Sequence, residues 1–172
     1  MSDLLDDLES SDTEAVYDAI ISAGKKDRFD LRHMIEPFLS NPDPGLREAA
    51  LKTLAFYWRL PEYEEIARTK LRDDEDPDVR AAAALALGGY AHGNLDNLPL
   101  LLDVTLDADE DEDVRDIAYS SALIVAGVTK REYPMEQTWP GFEARANWRL
   151  LARLVEECGA EVPQRLKELA GK

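Results

Sequence analysis

The sequence predicts an all-α fold: a right-handed α-solenoid of about four stacked helix pairs, closed by a C-terminal capping helix. Three observations predict it. A phrase recurs along the chain, first as Asp43-Pro44-Gly45-Leu46-Arg47, then as Asp76-Pro77-Asp78-Val79-Arg80, and then, without the proline, as Asp111-Glu112-Asp113-Val114-Arg115. The arginines lie 33 and then 35 residues apart, a period that marks a stacked-repeat architecture. Second, the apolar positions after each phrase repeat as well: Leu46, Ala50, Leu54 and Tyr57 return as Val79, Ala83, Leu87 and Tyr90, and again as Val114, Ala118, Ala122 and Val125. Steps of four, four and three keep each set on one helical face. Third, a second stripe follows the first. Tyr63, Ile66, Ala67 and Leu71 correspond to Leu98, Leu101, Leu102 and Leu106, and Leu31, Met34, Ile35 and Leu39 fit one unit earlier. Each unit is thus two amphipathic helices, and neither buries its stripe without a neighbour.

An acidic turn, then Asp-Pro-x-Val-Arg, then an Ala-rich helix resembles the HEAT repeat in its short bacterial form. The resemblance runs from about Asn41 to Leu106, extends more loosely to Gly127, and fades at both ends. The ankyrin Thr-Pro-Leu-His signature and the tetratricopeptide pattern are missing. Physically, Asp43, Asp76 and Asp111 stand where a side chain caps a helix start, and Pro44 and Pro77 fall in a first turn that has no use for their absent N–H. Arg47, Arg80 and Arg115 then lie one turn in, within reach of an acid of the adjacent unit. They are expected to form a ladder along the stack.

Taken in order, one repeat domain over residues 1–172 divides into units at about 12–40, 41–72, 73–107 and 108–158, with a cap at 159–172. An acidic N-terminal segment can lay Leu4, Leu5 and Leu8 on the first repeat. Asp12 or Ser11 caps a helix through Ile20 to Gly24, and a partner helix spans roughly Phe29–Leu39, shortened at Pro37. The second unit is helices Gly45–Trp58 and Pro61–Arg72. The third is Asp78–Tyr90 and about Asn94–Leu106, with Pro99 in the first turn or bending the helix. The alanines from Ala81 to Ala86 let a neighbouring helix approach closely. The fourth unit opens with Glu112–Ala126. After a long connection, a helix from Gly141 to Glu157, striped by Phe142, Ala146, Leu150 and Leu154, completes it, and Gly159 stops that helix. A short helix from Pro163 to Leu169 closes the stack.

Hydrophobic content of 45% with 33% charged residues is that of a globular chain of 172 residues. The single Cys158 excludes an internal disulfide and reads as a half-buried thiol near a helix end. No apolar run reaches the ~20 residues of a membrane span, and the acidic start lacks the basic segment of a signal peptide. A cytoplasmic protein, monomeric when free and without membrane contact, is the expectation. The net charge of −16 is uneven: residues 1–113 hold 28 acids and 11 bases, residues 114–172 hold 8 and 9. The first part repels phosphate backbones and so argues against nucleic acid. The same charge attracts a basic protein; it equally serves solubility.

Catalytic and metal chemistry find no set of residues. The alternation Asp107, Asp109, Asp111 imitates a calcium loop, but Glu112 stands where glycine belongs and Ala118 where the final glutamate belongs. His33 and His92 have no second ligand nearby in sequence, and no phosphate loop, dinucleotide loop or nucleophile elbow occurs. No cofactor, metal or catalytic residue is expected. What remains is binding. The second helices of HEAT units usually line the concave face, and on that resemblance Glu36, Glu62, Glu65, Asp96 and Asp103, with Arg32 and Arg145, line a mostly acidic groove. The 13 residues Val128–Pro140 hold Tyr133, Met135 and Trp139, the residue types that binding hot spots favour. Trp139, with Phe142 and Trp148, alternatively plugs the end of the stack. The expected function is a non-enzymatic protein-binding module, most concretely a bacterial immunity or antitoxin-like protein that occludes a basic toxin such as a nuclease. A HEAT-like phycobilin lyase subunit and a general scaffold or adaptor are the alternatives.

Overall fold

A computed structural model describes residues 4–90, 95–128 and 141–171. All regular structure in them is helical. The chain divides into two compact units, Met1–Tyr90 and Ala91–Lys172. The first holds α1 (Leu4–Leu8), α2 (Thr13–Lys25), α3 (Arg32–Ile35), α4 (Pro44–Leu51), α5 (Glu64–Asp73) and α6 (Pro77–Gly89). The second holds α7 (Leu98–Leu106), α8 (Glu112–Val125), α9 (Phe142–Arg145), α10 (Trp148–Glu157) and α11 (Gln164–Ala170).

The first helix of each pair starts on an aspartate. Asp12, Asp43, Asp76 and Asp111 have extended or near-extended backbone and accept from N–H groups two or three residues on, satisfying donors that the helix start leaves open. Pro44 and Pro77 occupy first-turn positions, as does Pro99 in α7. The core of the first unit gathers Ile20, Ile35, Leu51, Leu54, Tyr63, Leu71 and Leu87, all at most 1% exposed. Each such side chain contributes roughly 1.5–3 kcal/mol of burial. Ala82, Ala83, Ala84 and Ala86 are buried on α6, which packs against both α4 and α5; small side chains permit that double approach. A Cβ at Gly24 of α2 would stand 2.7 Å from Tyr57 Cδ2 and 2.9 Å from Thr53 Oγ1, so glycine is what lets α2 lie against that segment. Beside it, the buried Thr53 hydroxyl donates to the Ile20 carbonyl at 3.0 Å.

The structure redraws four of the expected helices. The expected helix Phe29–Leu39 is three short pieces, with 3₁₀ turns Phe29–Leu31 and Glu36–Ser40 on either side of α3; Pro37 in the second cannot supply an α-helical N–H. The expected helix Gly45–Trp58 is α4 followed by a π-helical stretch, Lys52–Tyr57. Pro61–Tyr63 is a 3₁₀ entrance to α5. Most consequentially, the helix expected from Gly141 to Glu157 is broken. Ala146 turns extended (ψ 131°), and Asn147 caps α10 by accepting from Leu150 N–H at 3.0 Å while its own N–H donates to the Tyr119 hydroxyl at 2.9 Å. The buried stripe of α10 is therefore Trp148, Leu151, Leu154 and Val155, and Ala146 and Leu150 are only partly covered. Among the described residues, the second helix of the third pair begins at Leu98; the Asn94 cap lies outside them.

Candidate protein-binding site

The connection between consecutive helix pairs is one device used three times. Asn41, Asp74 and Asp107, spaced by 33 residues, each accept from the N–H two residues on, at 2.9, 3.2 and 3.0 Å. The helix cap follows two residues later at Asp43 and Asp76, and four later at Asp111. That two-residue insertion is why the arginine spacing widens from 33 to 35. The arginine then folds back over the turn. Arg47 donates through Nη1 to the carbonyls of Asn41 and Pro42, both at 3.0 Å, and Arg80 through Nη1 to those of Asp74 and Glu75, at 2.9 and 3.1 Å. Arg115, shifted by the insertion, reaches the Thr105 carbonyl instead, at 3.2 Å.

The other edge of the guanidinium reaches forward. Arg47 meets Asp74 through two parallel bonds of 3.1 and 2.8 Å, and Arg115 meets Glu143 at 2.8 Å while lying 5.1 Å from the Phe142 ring centre. Arg47 and Arg115 are each 7% exposed. Asp74 also accepts from Lys70 at 3.0 Å. Burial alone would raise its carboxyl; the bonds from Arg47, Lys70 and the Asp76 N–H outweigh that and hold it at about 2.

The expected acidic groove is partly neutralised within the first unit. Glu36, Glu62 and Glu65 are exposed. Glu62 takes Arg32 Nη1 at 2.6 Å, and Glu65 takes Arg68 at 3.2 Å. Arg32 also donates to the Tyr63 hydroxyl at 2.8 Å and lies over that ring, 5.1 Å from its centre. Burial raises the Tyr63 phenol, and the neighbouring Glu36 pushes the same way. In the second unit Asp96 and Asp103 are exposed, and Arg145 pairs with Asp116 at 3.1 Å. Tyr133, Met135 and Trp139 lie outside the described residues. Phe142 and Trp148 do not: with Tyr119 they form a buried trio of edge-on rings 5.5–5.9 Å apart. Cys158 is half-buried at the end of α10, its thiol facing the Ala126 carbonyl at 3.7 Å. Among the described residues, no group of three His, Cys, Asp or Glu is placed to hold a metal, and no helix is long and apolar enough to cross a membrane.

Sequence reasoning missed Asp74, which takes two cations and a backbone N–H. Its signal was present as the Asn41, Asp74, Asp107 series, hidden by the abundance of acids around it.

These repeated turns and paired helices define a helical-repeat protein, and residues 31–123, more than half of the chain, match the HEAT-repeat family. The chain belongs to that family. HEAT repeats are generally non-catalytic scaffold units that mediate protein interactions, which makes a protein-binding helical-repeat module the class to which it points. No curated protein and no solved structure matches it significantly.

Proposed function

We propose that the protein is a non-enzymatic binding module whose partner is a basic protein, in the manner of a bacterial immunity or antitoxin-like protein that covers a basic toxin such as a nuclease. The observation that carries this reading is the charge: 28 acids against 11 bases in residues 1–113. Exposed Glu36, Glu62 and Glu65 stand on the second segments of two successive helix pairs. The Arg32–Glu62 pair joins exposed side chains and the Arg68–Glu65 pair an exposed carboxylate to a half-buried guanidinium; such surface pairs hold weakly and can exchange for a partner's cations. Asp96, Asp103, Tyr133, Met135 and Trp139 are proposed as further partner-contacting residues. A field of this sign speeds encounter with a basic surface and repels nucleic acid.

The test begins by capturing the partner from the native host and identifying it by mass spectrometry. Its binding to the Glu62→Lys, Glu65→Lys double variant is then followed by stopped flow. The association rate should fall about tenfold with little change in the dissociation rate. Equal rates for the parent and the variant would overturn the reading.

A further inference from the structure

Several irregularities converge in the first unit, where α2 and the π-helical stretch end. Both helices close with a residue in left-handed backbone, Asp27 at φ 53° and Arg59 at φ 50°. The equivalent helix ends in the second unit use Gly127 at φ 93° and Gly159 at φ 74°. All four close the same way. The N–H of the following residue returns to a carbonyl five residues back for Arg28, Val128 and Ala160, and six back for Leu60, where the π turn adds one residue. Glycine is the ordinary occupant of this conformation. An arginine there is strained, and retained strain points to a use for the side chain.

The surroundings suggest the use. Trp58, immediately before Arg59, is 7% exposed, and its indole N–H is buried with no acceptor among the described residues. A buried donor left open is uncommon and asks for an explanation. Phe29 lies against Trp58 with ring centres 5.0 Å apart, yet is 50% exposed. Lys25, Lys26 and Arg59 are exposed and form no ion pair among the described residues. The carboxylates of these two turns are Asp27, which is exposed, and Asp30, which Arg28 holds at 2.7 Å. Residues 25–32 and 58–62 thus carry five cations and three carboxylates, with Glu62 already held by Arg32, on a protein of net charge −16.

We infer that this corner is a second docking surface, for an acidic peptide segment of a partner protein. The segment's carboxylates meet Lys25, Lys26 and Arg59, its backbone or side chains cover Phe29, and one of its oxygens accepts from the Trp58 indole once the exposed Phe29 ring moves aside. Charge selects the partner's sign, and the open donor selects an acceptor. The docking residues are other than Glu36, Glu62 and Glu65, and the surface does not depend on the proposed function.

The test uses the full chain and a fluorescently labelled synthetic peptide rich in Asp and Glu, with a Lys-rich peptide as control, at ~150 mM salt. The acidic peptide should bind and shift the Trp58 indole N–H resonance, assigned through Trp58→Phe. Arg59→Gly should bind at least about tenfold more weakly while its melting temperature stays level or rises, because strain is relieved. Arg59→Glu, which leaves the backbone demand unchanged, should also lose binding. Binding within about twofold of the parent in both variants, an indole resonance that stays in place, or equal binding of the Lys-rich peptide would each overturn the inference.

Discussion

At Asp74 two repeats meet. Its side chain is 3% exposed and takes a two-pronged bond from Arg47, a bond from Lys70 and the N–H of Asp76. Because its folded carboxyl sits at about 2, below the ordinary 3.8, it contributes stability above the ordinary value and loses it as pH falls from about 4 to 2. The contribution is about 2 kcal/mol. In Asp74→Asn that part of the acid-induced loss should disappear, and at neutral pH the variant should be less stable by about 2–4 kcal/mol, since buried Arg47 keeps only the exposed Glu75, at 3.8 Å, as a paired carboxylate. Urea midpoints of parent and variant, measured across that pH range, check both effects. Parallel curves would show that Asp74 is not the group responsible. The cap residues Asp43, Asp76 and Asp111 were legible in the sequence because capping is local chemistry. Asp74 was not, because its partner Arg47 lies 27 residues away and many acids surround it.

At the scale of elements, close approach decides more than propensity. Gly24 stands in the last turn of α2, where helix preference alone favours alanine, but a Cβ there would meet Thr53 and the Tyr57 ring inside 3.0 Å. Gly24→Ala should therefore destabilise by about 1–3 kcal/mol, read as a lowered melting temperature; an unchanged or higher value would show that the neighbours give way freely. The apolar stripes placed α2, α5, α6 and α8 and the start of α4 within a few residues, because a repeated pattern reports burial several times over. The fourth pair was misread for a physical reason. Period alone carried a stripe through Ala146, but Asn147 offers its side chain to Leu150 N–H and its N–H to Tyr119, and those two bonds end one helix and begin another. The π-helical stretch and the left-handed Arg59 were equally invisible, since neither depends on apolar spacing.

For the molecule as a whole, the HEAT-repeat fold was legible from periodicity, and the family match over residues 31–123 agrees with it. The proposed binding surfaces were legible only as charge. Sequence reading placed Glu62 and Glu65 in an acidic groove but did not pair them with Arg32 and Arg68, and the positive corner around Arg59 was hidden inside a total of −16. The proposed partner is met through this total field, so the most direct test is the association rate of the captured basic partner as ionic strength rises from about 20 to 500 mM, across which the screening length shrinks to a few ångströms. The proposal predicts a fall of at least about tenfold, with a dissociation rate that changes far less. An association rate that stays within about twofold over that range would contradict it.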